Sequence, residues 1–299
     1  MQVLYGNMSA EQQDKVMHSS GQRRVVLATN IAETSVTIDG ITCVVDSGWA
    51  RQLRYDPAVG LDRLELTPIS QASAEQRGGR AGRLGPGCCL RLWEKSSQRA
   101  RPEFDSPEVR RADLSSAILQ LLCWGEKDIR AFPWFEAPST ETIESSLVVL
   151  RCLGALDANG VTSLGRSMGT LPLSPRLARL VLEGYRQQSL RRAALAAALL
   201  SERDPFERPR VTTYRRESAP PPENSPSTSD VLDRVEAVER FQESGETTSA
   251  IGSLRPDSTR NVLQAARQIE KMVQQLLGPG QESESERQQE DGLLRSLFV

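Results

Sequence analysis

The stretch Glu75-Gln-Arg-Gly-Gly-Arg-Ala-Gly-Arg83 carries a glutamine and two arginines at spacings of four and three. On a helix at about 100° per residue, Gln76, Arg80 and Arg83 fall within roughly 60° of one another. The spacing therefore predicts two guanidiniums and an amide on one face, converging on a multiply charged oxyanion. Planar, fork-shaped, permanently charged donors match phosphate better than the point charge of lysine. The glycines at 78, 79 and 82 would let a backbone or a ligand approach closely. Three glycines in a helix interior forgo on the order of 3 kcal/mol relative to alanine, so something must offset that cost. The competing reading is a solvated, salt-bridged surface helix, but such helices ordinarily use alanine, lysine and glutamate.

The elements that position this segment follow from patterning. Ser9 is an N-cap with Gln12 in the capping-box position, opening a short helix to Met17. Arg24–Thr29 and Ile41–Val45 are almost fully apolar and read as buried parallel strands of an α/β sheet. Residues 46–69 alternate around Asp56-Pro-Ala-Val-Gly60, which signals a long β-hairpin. Ser70 or Ser73 caps the glycine-arginine helix, and Cys88–Trp93 is a further strand. From Asp113 the period becomes helical. Two stripes, Leu114/Ile118/Leu121/Leu122 and Ile143/Leu147/Leu150/Leu153, precede a turn at Asp157–Gly160, the outline of a winged helix. Amphipathic helices follow at Leu173–Tyr185, Leu190–Ser201, Val231–Phe241 and Thr259–Leu277. Residues 217–230 read as a Pro/Ser-rich linker and 278–292 as disordered and exposed. The apolar ending Leu293–Val299 has nothing behind it in the sequence, which suggests truncation.

Composition sets limits. The chain has 299 residues, 38% of them apolar, and a net charge of −2, so an anion site must arise from local clustering rather than global basicity. Five cysteines (Cys43, Cys88, Cys89, Cys123, Cys152), no CxxC pair and the single His18 exclude an obvious zinc site or disulfide framework. Each cysteine is expected to act as small core filler. No apolar run approaches 18 residues, and a soluble, cytoplasmic chain with no membrane partner is expected.

Gln76–Arg83 resembles motif VI (QRxGRxGR) of superfamily 2 helicases, with Gly78 where alanine is common, a departure that would loosen the helix. Ala28-Thr-Asn-Ile-Ala-Glu-Thr-Ser-Val-Thr-Ile-Asp-Gly40 resembles motif V of the DEAH/RHA group. Val45–Trp49, the hairpin and Arg83–Leu92 fit the same group. Leu171–Leu180 and Leu200–Phe206 resemble its bacterial HrpB-type branch. The likeness runs from about Leu4 to Phe206, is weak across 207–292 and returns at Leu293–Val299.

The resemblance implies an α/β plus α architecture. Residues 1–94 would be an incomplete second RecA-like domain with a P-loop NTPase-type parallel sheet and the hairpin 46–69. Residues 95–170 would be a winged helix, and 171–299 a partial helical, ratchet-like domain. It implies that Gln76 contacts the γ-phosphate or attacking water and that Arg80 and Arg83 are arginine fingers. Asp39, Gly79 and Gly82 would lie along the nucleotide, and Thr29, Ser35, Thr37 and Trp49 along single-stranded nucleic acid, RNA by family. Tyr55 is an alternative stacking residue, and Arg110 and Arg111 are weaker backbone-contact candidates. ATP and Mg²⁺ would both require a first RecA-like domain, because no GxxxxGK[ST] and no Asp-Glu-x-His occurs in the 299 residues. The chain alone is thus expected to be inactive and to need a chain that supplies that domain. The alternative is a non-catalytic module that binds nucleic acid or a partner.

Overall fold

The computed structural model describes all residues except 7, 19–22, 35–36, 57–60, 84, 208–228, 281–284 and 299. The chain forms two compact units, residues 1–113 with 133–142, and residues 114–132 with 143–299.

The first unit is built from short parallel pairs. β1 (Gln2–Leu4) pairs in parallel with β2 (Val26–Ala28), and β3 (Cys43–Asp46) with β6 (Cys88–Arg91). Between β1 and β2 runs α1 (Ala10–Met17), opened by a reciprocal capping box between Ser9 and Gln12. The four-residue α2 (Ile31–Thr34) follows β2. β4 (Trp49–Asp56) and β5 (Leu61–Pro68) form the antiparallel hairpin, in register from Trp49↔Pro68 to Asp56↔Leu61. Its expected turn at 56–60 lies, after Asp56, outside the described residues.

Arginines fasten this hairpin. Arg101, just beyond α4 (Lys95–Ala100), donates to the carbonyls of Gly48 (3.0 Å) and Ile69 (2.8 Å) and lies 4.5 Å over the Trp93 ring. Gly48 has φ +78°, and a Cβ there would come within 2.5 Å of the Arg101 guanidinium, so only glycine fits this close approach. Farther along, Arg111 donates to Leu53 O at 2.8 Å and accepts from Tyr55 N–H at 2.7 Å.

Two expectations fail here. The apolar strands are not buried: Leu27, Val45 and Leu90 are 52%, 62% and 56% exposed. Each parallel ribbon has only two strands, so no described neighbour covers the faces that their composition suits for burial. The cysteines are not core filler either, since Cys43, Cys88 and Cys152 are exposed and Cys89 and Cys123 only half-buried.

The second unit is helical. α5 (Ser115–Trp124), the part of α6 (Thr140–Cys152) from Ile143 onward, the small hairpin of β7 (Leu156–Asp157) and β8 (Gly160–Val161), and α7 (Ser163–Thr170) come first. α8 (Pro175–Arg186), α9 (Leu190–Ser201), α10 (Asp230–Ser244), the small β9–β10 pair (Thr248–Ser249 and Gly252–Ser253) and α11 (Pro256–Leu277) follow. α9 is the hub. Ala193, Ala194, Ala196, Ala197 and Ala198 are all at most 1% exposed, and these small side chains let neighbouring helices come close. A Cβ on Gly184 of α8 would stand 2.2 Å from the Ala193 Cβ.

The sequence reading of 278–292 is corrected over its second half, and the apolar ending is not left bare. α12 (Glu286–Leu297) is a helix with Leu293 fully buried, and Ser189 Oγ donates to Gln289 O at 2.8 Å. What drives the folding is the apolar 292–297 edge, which the Gln/Glu-rich composition before it masks. The proposed linker 217–230 lies outside the described residues up to 228, and α10 begins at Asp230.

One carboxylate anchors α8. Glu183 is 3% exposed and receives hydrogen bonds from Arg186 (2.8 Å), Gln187 (2.7 Å) and Arg179 (2.9 Å). Burial alone would push its pKa up, but these three donors outweigh it and bring the group down to about 2 from 4.5. A depressed folded-state pKa stabilises above the unfolded value, and the gain disappears as pH falls from about 4.5 through about 2. Urea unfolding should show wild type more stable than Glu183→Gln by on the order of 2–3 kcal/mol at pH 6, and that gap should narrow steadily below pH 4. A gap independent of pH would refute the assignment.

Candidate functional site

A groove of about 750 Å³ lies in the first unit between the two parallel ribbons, lined also by Trp49, Ala50, Arg51, Leu64 and Leu66 of the hairpin. Its walls are apolar along β2 and β3 (Val26, Ala28, Ile41, Cys43, Val44, Val45). At the C-terminal ends of those strands they turn polar, with Thr29, Asn30, Glu33, Thr37, Asp46, Arg77, Arg80 and Arg83. Open parallel sheets ordinarily bind ligands at that end.

The polar end is organised by Arg77. This residue projects from α3 (Gln71–Gly79), which Ser70 caps by accepting from Ser73 N–H. Arg77 Nε donates to Glu33 Oε2 at 2.9 Å, and Nη1 donates to Asp46 Oδ1 at 3.0 Å and to Trp49 O at 3.2 Å. Ser73 Oγ, one turn earlier, donates to Glu33 Oε1 at 2.7 Å. Burial disfavours the Arg77 cation, but its two carboxylate partners more than offset this and raise its pKa, so the charge is held permanently. Asp46 is 4% exposed; its Oδ1 also accepts from Gly48 N–H at 2.9 Å, whereas Oδ2 has no hydrogen-bond partner among the described residues.

Arg80 and Arg83 enter the groove by a different route from the single helical face expected. α3 ends at Gly79, and Arg80 caps it, donating its N–H back to Arg77 O and Gly78 O. The chain then turns, with Gly87 passing so close to Ala81 that a Cβ would stand 2.2 Å from its carbonyl oxygen. From this turn Arg80 Nη2 donates to Glu33 O and Arg83 Nη1 to Thr37 Oγ1. Gln76 stays on the helix, is exposed, and does not line the groove. The shared-face geometry is therefore corrected. A helix that stops before Arg80 brings the two arginines together and leaves the glutamine outside.

Of the other predicted residues, Thr29, Thr37 and Trp49 line the groove, with Trp49 48% exposed. Asp39, Gly79 and Gly82 do not line it, and Ser35 lies outside the described residues. Asp39 instead serves the α1 end: its N–H donates to Met17 O at 3.0 Å and its carbonyl accepts from Arg24 at 2.7 Å. Tyr55 does not line the groove. Arg111 is occupied by the hairpin, and Arg110 stands 3.8 Å from Glu136.

The glycine question resolves by position. A Cβ on Gly79 meets nothing within 4 Å, and one on Gly82 meets only Gly79 O at 3.9 Å, so packing within the unit does not demand glycine at either. Only Gly78 and Gly79 are helical, which cuts the folding cost to about 2 kcal/mol or less. Glu33, Asp46 and Arg77, the ion-paired charges at the polar end of the groove, were not singled out in the sequence. Arg77 lies one turn from Ser73, but its partners are remote in the chain, and only tertiary structure joins them.

Comparison with known proteins bears on this geometry. Residues 1–85 match the family model described as the helicase conserved C-terminal domain. The ATP-dependent RNA helicase HrpA of Escherichia coli is 45% identical over 212 residues, covering 69% of this chain and 16% of that protein. The human probable ATP-dependent RNA helicase DHX34 is 42% identical over 208 residues, covering 69% of this chain and 18% of the relative. Two crystal structures of E. coli HrpB, described as a DExH-box NTPase and a DEAH/RHA helicase, superpose with TM-scores of 0.72 and 0.73 at 32% identity. They cover 100% and 99% of this chain, which makes up 32% of each. The chain belongs to the DEAH/RHA helicases. It spans about a sixth of the length of the curated relatives it matches.

In this DEAH/RHA chain, Arg77 should prove structural. Arg77→Ala leaves the buried Asp46 carboxylate without its cation, and chemical denaturation should report a loss of about 3–5 kcal/mol in the first unit. Gly78→Ala should do the reverse. Its Cβ would make ordinary contact with Cys89 Sγ at 3.5 Å, and the helix should gain up to about 1 kcal/mol. A destabilised Gly78→Ala would mean that the glycine is required by packing.

Proposed function

We propose that this chain is the carboxy-terminal portion of an ATP-dependent RNA helicase of the HrpB type, in which Arg80 and Arg83 present positive charge to the terminal phosphate of ATP. The observation that carries this reading is the placement of both guanidiniums at the C-terminal end of the parallel strands, in the groove that also holds Thr29 and Thr37. The relatives are by name ATP-dependent RNA helicases, and the range 1–85 that matches the helicase conserved C-terminal domain includes Arg80 and Arg83.

The residues fit a phosphate. Glycine at 79 and 82 leaves open space beside Arg80 and Arg83, and the two fork-shaped cations can each give paired hydrogen bonds to phosphoryl oxygens. They do not by themselves fit Mg²⁺, because no cluster of three or more metal-ligating side chains is found among the described residues. ATP, when bound, supplies the phosphoanhydride whose cleavage drives strand movement. On this reading Arg80 and Arg83 neutralise charge developing on the transferring phosphoryl group, a role worth about 10³–10⁵ in rate for arginine fingers generally. Gln76, exposed at the last turn of α3, would orient water or the γ-phosphate from the solvent side, and Asp39 would lie near the ribose or the arginine-bearing helix.

Arg83 links two tasks. Its hydrogen bond to Thr37 joins a phosphate-facing cation to the motif V loop, whose Thr29 and Ser35 would grip the RNA backbone. Thr37 would thus report the nucleotide state to the nucleic-acid strand, while Trp49 at the hairpin base would stack on a base. Residues 95–170 would form the winged helix and 171–299 the ratchet-like domain beside it. The second reading, a non-catalytic nucleic-acid- or partner-binding module, is favoured by one observation: the 299 residues contain no GxxxxGK[ST]. Both readings agree that this chain alone does not turn over ATP.

Two measurements decide between them. The purified chain should show no RNA-stimulated ATPase activity, and turnover should emerge when the part of HrpB with no counterpart here is added. In that mixture, Arg80→Ala and Arg83→Ala should each lower the rate by about 10³ or more; retention of wild-type rates would sink the finger assignment. Trp49→Ala should weaken single-stranded RNA binding by about 1–3 kcal/mol in fluorescence titrations, and an unchanged affinity would return Trp49 to a packing role.

A further inference from the structure

Three of the five cysteines fall on one strand pair, and the register decides which of them can meet. Cys43 and Cys88 are partners at the first rung of the β3–β6 ladder, and Val44 stands opposite Cys89 at the second. Partners on parallel strands send their side chains to the same face, and the next residue along points to the other. Cys89 accordingly lies against α3, where a Cβ on Gly78 would stand 3.5 Å from its Sγ. Cys43 and Cys88 share the opposite face with Val45 and Leu90. That face is open: both cysteines are exposed, as are Val45 and Leu90 at 62% and 56%.

The two thiols are in contact. A side-chain hydrogen bond joins them, and it is the main reason that the Cys43 thiol is pushed above its ordinary pKa. Neighbouring strands lie about 4.8 Å apart, inside the span of about 4.4–6.8 Å between Cα atoms that a disulfide requires. Both cysteines are the first residues of their strands, where fewer ladder bonds resist the small rotation that closing such a bond needs. Cys88 also follows Gly87, which passes against the Ala81 carbonyl at the end of the turn that carries Arg83. A covalent tie at Cys88 therefore anchors one end of that turn.

We propose that Cys43 and Cys88 form a reversible oxidation site: a hydroperoxide converts the pair to a disulfide that ties β3 to β6 at their first rung and holds the turn before β6, and a thiol reductant reopens it. The hydrogen bond keeps Cys43 protonated, so the Cys88 thiolate attacks first. Its sulfur bonds to one peroxide oxygen, hydroxide leaves, and a sulfenic acid forms on Cys88. The Cys43 sulfur then attacks that sulfenic sulfur and gives up its proton, and water departs as the S–S bond closes. Two electrons pass from the sulfur pair to the peroxide, which ends as two waters once the hydroxide is protonated. A bond between Cys88 and Cys89 is not the product, because their side chains lie on opposite faces of the strand. The site stands on strand register and exposure and does not depend on the helicase reading.

The test treats the purified 299-residue chain with hydrogen peroxide and follows thiols, mass and peptide map. Two of the five thiols should disappear, and the monomer should lose about 2 Da, both reversed by dithiothreitol. Mapping should join Cys43 to Cys88 and leave Cys123 and Cys152, in the second unit, free. Cys43→Ser and Cys88→Ser change exposed residues, so each should keep the circular dichroism of the wild type and form no internal bond, while Cys89→Ser should oxidise as before. In Cys43→Ser a cyclic diketone should trap the sulfenic acid on Cys88; equal trapping on Cys43 in the Cys88→Ser chain overturns the order of attack. Hydrogen exchange at the Ala81 and Gly87 amides should slow at least about threefold on oxidation, and unchanged exchange overturns the hold on the turn. A bond mapped to another pair, a gain of oxygen without a crosslink, or a disulfide-linked dimer overturns the site.

Discussion

The Arg77 guanidinium, clamped between Glu33 and Asp46, is the interaction on which the first unit depends. It ties α3 to the ends of both parallel ribbons at 2.9 and 3.0 Å, and a third donation, to Trp49 O, brings in the hairpin base. The two ribbons do not pair with each other, and Ser73, which also donates to Glu33, supports the same link from one turn earlier on α3. Because both carboxylates and the guanidinium are 15% exposed or less, the pairing is little screened by solvent. Removing one member strands a buried charge, which is why such a link acts as an all-or-none latch.

The hairpin is held by a second, independent set of arginines. Arg101 uses a backbone-only grip at its base, reinforced by stacking on Trp93, and Arg111 grips the strand farther out. Carbonyl acceptors carry no net charge, so these contacts keep the cations strongly oriented without neutralising them. The division of labour is chemical. Arg77, with carboxylate partners, ties α3 to the ribbon ends, and Arg101 and Arg111, on carbonyls, fasten the hairpin.

Much of this was legible in the sequence, for local reasons. The Ser9 cap, the hairpin alternation and the heptad-like stripes of the helical unit are short-range patterns, and each fell within a few residues of its observed element. The errors arose where local pattern and tertiary context disagree. Arg24–Thr29 reads as buried because its composition suits a covered sheet, yet nothing described covers it. The helix over Glu75–Arg83 was extended past Gly79 because spacing alone cannot show where a glycine pair releases the chain. α12 was hidden behind a run of Glu, Gln and Ser whose helical propensity is adequate but whose apolar edge begins only at Gly292–Leu293. Asp46 and Glu33 escaped notice for another reason: an ion pair across 31 or 44 residues leaves no periodic trace.

The three arginines of the glycine-rich segment are best understood together. Placing Arg77, Arg80 and Arg83 at one end of one groove concentrates like charge, which would by itself weaken the fold. The arrangement tolerates this because the charges are treated unequally. Arg77 is neutralised by Glu33 and Asp46, so its field is largely spent inside the protein. Arg80 donates to the Glu33 carbonyl and Arg83 to the Thr37 hydroxyl, acceptors that orient a guanidinium and carry no net charge themselves. The end of α3 at Gly79 is what separates the two classes. A helix continued to Arg83 would hold Gln76, Arg80 and Arg83 on a common face, whereas the break lets the chain swing both arginines toward the strand ends. Neither Gly79 nor Gly82 has a neighbour that would exclude a methyl group, and neither has a positive φ, so the fold of this unit does not itself demand glycine at either. A cation held in a preorganised position is what a site needs to stabilise an anion that arrives later.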